Sequence, residues 1–181
     1  MNPGERVSTD GLGRVARGED IEDLRGAQLS LTAREALLAE QTECTFCFAD
    51  EQGRPAAVVL SFHWDGTAFW FTSVDGRAQV RALANDDRVC IVVSSAGTGS
   101  AGRQMLSVRG RATVHRDTAA RAAELTALAG RLAPGAPEKF LTLLASPGRL
   151  LIEVRPEAVV ASHDSRRLPG DGRGGPGPKN R

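Results

Sequence analysis

Thr72, Ser73, Arg77 and Gln79 lie within one eight-residue stretch, where an aromatic run (TAFWFT, residues 67–72) gives way to a segment with apolar residues at helical spacing (75–85). Hydroxyls, backbone N–H groups at a helix start and a guanidinium fork are the donors that hold a phosphate or a similar anion. The same residues also fit a structural arrangement, in which Ser73 or Asp75 caps the helix and Arg77 is a solvated charge. Asp75 itself would repel a phosphate. The residue types leave both readings open.

Cys44-x-x-Cys47 has a spacing used by metal sites and dithiols, but in an extended segment (ECTFCFAD, residues 43–50) an odd separation turns the thiols to opposite faces. There is no second Cys-x-x-Cys to complete a four-sulfur zinc site, and Cys90, inside RVCIVVSS, reads as a small hydrophobe. No metal site is expected. His63 is a candidate ligand or proton carrier, or else a partly exposed polar residue at a strand end; His115 and His163 are isolated. Phosphate-loop, nucleophile-elbow and HExxH patterns are all absent from the sequence, so no catalytic side chain is assigned.

The 181-residue chain is long enough for one domain with a sizeable core. At 41% hydrophobic and 25% charged residues it has the composition of a folded globular protein. A net charge of +1 creates no field that would select nucleic acid, a membrane surface or acidic polymers. No run approaches the roughly 18 apolar residues of a membrane span, the first thirty residues lack a signal-peptide core, and three cysteines cannot form a paired framework. A cytoplasmic protein is expected, with neither membrane nor nucleic acid as partner.

The elements that must position these residues follow from periodicity. Residues 1–30 have no sustained pattern and are expected to be a disordered leader; residues 166–181, rich in Gly, Pro and Arg, are expected to be a disordered tail. Between them, residues 31–165 form the folded domain. Thr32 with Glu35 fits a capping box, opening a helix to about Gln41. Segments 43–50 and 56–64 read as a hairpin, Asp65-Gly66 as a two-residue turn, and 67–72 as the next strand. A crossover helix (75–85), a buried strand (88–95), a half-buried strand (105–114), two helices (117–128 and 138–145) and a strand from Arg149, interrupted at Pro156, complete the order. The fold class expected is mainly β (α+β), a six-stranded antiparallel split β-barrel with crossover helices.

That order, together with Gly53-Arg54-Pro55, Trp64-Asp65-Gly66, Phe71-Thr72-Ser73, RAQVRAL (77–83), NDDRV (85–89) and Val108-Arg109-Gly110-Arg111-Ala112, resembles the pyridoxamine 5′-phosphate oxidase-like family, the FMN-binding split barrels. Gln79 stands where the family commonly has a phosphate-binding lysine, and His163 where it commonly has an aromatic residue. The resemblance implies a flavin- or deazaflavin-dependent oxidoreductase acting on a small molecule. FMN is the implied cofactor, with coenzyme F-420 as the alternative and haem as a lesser one. It further implies a homodimer with the cofactor at the interface, the ring lying against the backbone of Val59, Leu60, Ser61 and Phe62. The phosphate would be held by Thr72, Ser73, Arg77 and Gln79. The alternative from another class is a haem- or flavin-binding protein of the same fold without turnover.

Overall fold

Alternation of apolar and polar residues sets the strands, and the computed structural model, which describes residues 24–100 and 102–167, shows what they build. Helix α1 (Leu31–Glu40) leads into β1 (Glu43–Ala49) and β2 (Pro55–Ser61); β3 (His63–Trp64) and β4 (Phe69–Val74) follow. Helix α2 (Ala78–Leu83) connects to β5 (Arg88–Ser94) and β6 (Gln104–His115). Helices α3 (Ala122–Leu132) and α4 (Pro137–Leu144) precede β7 (Arg149–Asp164). The strands form one antiparallel sheet in the order β2-β1-β5-β6-β7-β4-β3, a curled half-barrel.

Seven strands stand where six are expected, because the second is cut at Phe62. There the N–H donates to the Thr42 carbonyl (2.9 Å) and the ring is fully buried. The kink carries the chain from β2 into the two-residue β3.

The core lies inside the curl. Cys44, Phe46 and Phe48 of β1 and Val89, Ile91 and Val93 of β5 point inward, meeting Phe62, Phe69 and Phe71. Phe46 and Phe71 pack edge to face at 5.2 Å. At roughly 1.5–3 kcal/mol for each fully buried large side chain, these rings are the main force closing the sheet. A smaller apolar cluster, Ala68, Trp70, Leu128 and Leu151, holds α3 on the outer face.

Several boundaries differ from the sequence reading for local reasons. The cap of α1 is Ser30, whose Oγ accepts from Ala33 N (3.2 Å), rather than Thr32; Glu35 instead accepts from Trp64 Nε1 (3.0 Å). The Asp65-Gly66 connection is four residues, not two, because the Asp65 carboxylate gathers Thr67 N, Thr67 Oγ1, Ala68 N and Trp70 Nε1 at 2.7–2.8 Å. Asp117 caps the 3-10 turn before α3 through Ala119 N (3.1 Å), and Gly130 lies inside α3 rather than ending it. β7 runs unbroken through Pro156, which is tolerated because beyond Val154 the strand has lost its β4 neighbour and Pro156 sits at a register shift opposite Gly110. Of the expected leader, residues 1–23 lie outside the described residues; Leu24–Ala27 form a 3-10 turn, Ala27 and Leu29 are buried, and Leu29 N donates to Ser162 Oγ (3.2 Å). Of the expected tail, residues 168–181 lie outside the described residues. No helix among the described residues is long and apolar enough to cross a membrane.

Two predictions follow from this packing. At the β6–β7 bulge a Cβ on Gly110 would run into the Arg155 carbonyl, and the neighbour is backbone. Gly110→Ala should therefore lower stability by about 1–3 kcal/mol in urea denaturation; an unchanged midpoint would show that the strands separate freely there. For Asp65, burial pushes the carboxyl up, but hydrogen bonds from Trp70, Ala68 and Thr67 outweigh it and hold the pKa at about 2. A depressed pKa contributes stability above the unfolded value of about 3.9, lost as pH falls toward the folded value. The parent should melt above Asp65→Asn at neutral pH, with the gap closing between about pH 4 and pH 2; a gap constant across that window would rule out the carboxylate as its source.

Candidate functional site

Because β3 is only two residues long, it covers β4 at Phe69 and Trp70 and leaves Phe71 to Val74 without a neighbour on that side. β2, the opposite edge of the sheet, curls round to face this stretch, yet among the described residues no backbone hydrogen bond joins β2 to β4. Two strand edges with unused N–H and C=O groups thus border a cleft of about 320 Å³. Val58, Val59 and Leu60 line it from β2, and Thr72, Ser73 and Val74 from β4. Arg77, Gln79 and Arg149 close its polar end, and among the described residues no carboxylate or histidine is part of the lining.

The cleft collects Val59, Leu60, Thr72, Ser73, Arg77 and Gln79 from the residues singled out by sequence; Ser61 and Phe62 are outside its lining. Ser61 ends β2 opposite Glu43, and Phe62 is core. Gln79 is buried, and its Nε2 donates to Ser73 Oγ at 3.3 Å. Arg77 is exposed at the start of α2 and makes no side-chain capping bond; at six residues, α2 offers the cleft side chains rather than a helix terminus. Asp75 is outside the lining and is bound by Arg116 at 2.9 Å, whose hydrogen bond holds its carboxyl below the usual range.

Arg149 is the residue sequence reasoning missed. It opens β7 and pairs in register with Val74, so it shares a sheet face with Thr72; its Nη1 reaches Thr72 Oγ1 (3.3 Å) and its Nη2 reaches Ser146 Oγ (2.9 Å). Its Nε is buried without a hydrogen-bond partner, and desolvation pushes its pKa down. Only its place just after the Pro147-Gly148 turn marks it in the sequence, and that does not reveal which strand it joins.

The remaining polar candidates lie elsewhere. Cys44 is in the core, where burial pushes its thiol up to about 12, while Cys47 faces outward opposite Cys90, as the odd spacing requires. His63 is half-buried with Nδ1 unpartnered; burial lowers its pKa, Asp65 opposes the shift and Arg131 adds to it. His115 Nε2 lies 2.9 Å from Glu153 Oε2 beneath Trp70. His163 is buried on β7 with neither ring nitrogen hydrogen-bonded. A second, apolar cleft of about 250 Å³ lies between α1, Trp64, Phe69 and the Pro156–Val159 stretch of β7.

A sequence model of the pyridoxamine 5′-phosphate oxidase family matches residues 31–163, most of the chain. The chain belongs to the pyridoxamine 5′-phosphate oxidase family. Solved structures agree in fold. A conserved hypothetical protein of Mycobacterium tuberculosis superposes with a TM-score of 0.67 at 14% identity, over 79% of this chain and 89% of that one. The haem storage protein HutZ of Vibrio cholerae gives 0.59 at 16% identity, over 74% and 93% of the two chains. An FAD-binding protein of Mesorhizobium loti gives 0.57 at 18%, over 75% and 94%. No curated sequence is similar enough to count as a match. Within the pyridoxamine 5′-phosphate oxidase family fold, the β2–β4 cleft is the place where unpaired backbone, hydroxyls and two arginines converge.

Proposed function

We propose that the β2–β4 cleft holds a flavin-type cofactor, FMN in the first instance and the deazaflavin F-420 as the alternative, and that the protein is an oxidoreductase acting on a small molecule. The observation that supports this is the division of the cleft into an apolar wall with a free backbone edge (Val58 to Leu60) and a polar end with hydroxyls, an amide and arginines. Such a lining suits a flat ring with a hydrogen-bonding rim and an anionic tail. When bound, a flavin or deazaflavin accepts and returns a hydride, so the chain need not supply a nucleophile. That agrees with a lining free, among the described residues, of carboxylate and histidine. The chain's share is to seat the ring against β2, anchor the tail at Thr72, Ser73 and Gln79, and keep water out.

Water exclusion requires a cover. Val59, at the cleft, is 66% exposed, as are other apolar side chains of the outer surface, Leu31, Val159 and Val160, to lesser or greater degree. We infer that a second copy of the chain covers the cleft, giving a homodimer with two equivalent sites.

The second reading, a haem- or flavin-binding protein without turnover, has His63 in its favour, a half-buried imidazole outside the cleft lining whose nitrogen would be the group to hold a haem iron. The absorption spectrum of the purified protein, followed by titrations with FMN, F-420 and haem, separates the readings. A flavin or deazaflavin should bind at one site per chain and be reduced and reoxidised; a Soret band lost in His63→Ala would favour haem, and binding of none of the three would overturn the cofactor assignment. Light scattering at micromolar concentration should report a dimer, and a monomer would remove the proposed cover.

A further inference from the structure

The arginines among the described residues differ in what they pair with. Arg54, Arg81, Arg88, Arg111, Arg116, Arg155 and Arg166 are exposed and Arg121 is half-buried, and each pairs with a carboxylate. Arg34, Arg131 and Arg149 are half-buried with no carboxylate within ion-pair distance among the described residues, and of these three it is Arg149 that lines the β2–β4 cleft. The two bonds of Arg149 are to the neutral hydroxyls of Thr72 and Ser146, and its buried Nε has no partner among the described residues. A cation taken partly out of water without a counter-charge costs stability, which makes it rare unless something else supplies the negative charge.

The backbone fixes where that charge belongs. The tight turn before Arg149, with Gly148 at φ 72° and its carbonyl accepting from Asp75 N (2.8 Å), ties the start of β7 to the end of β4. The guanidinium is therefore held in place before any ligand arrives. Arg77, by contrast, is exposed at the rim. Gln79 and Ser73 bond to each other across the same end of the cleft and add neutral donors. We propose that Arg149 is the principal anchor of the anionic group in this cleft, a phosphate-class oxyanion held by its guanidinium together with Thr72, Ser73 and Gln79, while Arg77 acts only at the rim. Naming FMN as the carrier of that phosphate rests on the cofactor reading above; the anion site itself rests on the surroundings of Arg149.

The test combines melting curves with paired titrations. Arg149→Gln, without ligand, should melt at or above the parent, since an uncompensated charge has been removed; a structural strut would melt lower. Inorganic phosphate should raise the melting temperature of the parent and of Arg149→Lys, which keeps the charge, but not of Arg149→Gln. Titration with FMN and with riboflavin, which lacks the phosphate, isolates the contact. The parent's preference for FMN should fall by about tenfold to a hundredfold in Arg149→Gln and less in Arg77→Ala. If Arg149→Gln keeps the full preference or the full phosphate response, the proposal is overturned. If the parent binds neither flavin, the cofactor reading falls, while a phosphate response that depends on Arg149 still upholds the anion site; a parent insensitive to phosphate as well removes both.

Discussion

The short β3 is the constraint on which the rest of the structure depends. A full-length strand beside β4 would pair its edge and continue the sheet toward closure. Burial of Phe62 and its bond to the Thr42 carbonyl instead turn the chain after Ser61, so that only His63 and Trp64 reach β4. Free edges are usually a liability, since they invite pairing with other chains. Here the curl brings the two edges to face each other, and the phenylalanine core behind them keeps them apart without letting them zip. The core that stabilises the fold thus also sets the width of the cleft.

β7 is the second determinant. At sixteen residues it spans the sheet, pairing with β6 along most of its length and with β4 over Arg149 to Val154. The bulges opposite Gly110 and near Val108 let one strand serve both neighbours, because extra residues add twist and bend the strand around the core. Gly110 is needed where the bulge brings two backbones together, which gives the Val-Arg-Gly-Arg-Ala motif a packing explanation.

Sequence reasoning saw the parts that are local. Alternation located β1, β5 and β6 to within a residue or two, and the helical stretch before β5 was legible from Val80 and Leu83. The junction of β4 and α2 was readable as a donor cluster because Thr72, Ser73, Arg77 and Gln79 are neighbours in the chain. The Phe62 kink was hidden, since an aromatic residue in a β-branched run looks like more strand. The cap of α1 was misplaced by two residues because Ser30 and Thr32 both offer a hydroxyl, and only the docking of Glu35 on Trp64 distinguishes them. Arg149 was out of reach for a different reason. Its contact with Thr72 spans 77 positions, and which strand borders β4 is a property of the whole sheet.

The charged groups of the molecule also sort by role. Asp65 and Asp164 are both held at about 2, each because its own hydrogen bonds outweigh burial: Trp70, Ala68 and Thr67 for the one, Arg166 and Gln104 for the other. These carboxylates are complete in themselves; they organise a hairpin and the end of β7, and no ligand could improve them. Glu153 is buried with His115 at 2.9 Å and Arg155 at 2.7 Å as ion-pair partners, while its Oε1 lacks a hydrogen bond among the described residues. Arg149 has neutral hydroxyls as partners, where Asp164 and Glu153 have cationic or protonatable ones. Its place at the polar end of the gap between the two free strand edges, more than an unfilled bond, suits it to an anion the chain does not itself contain.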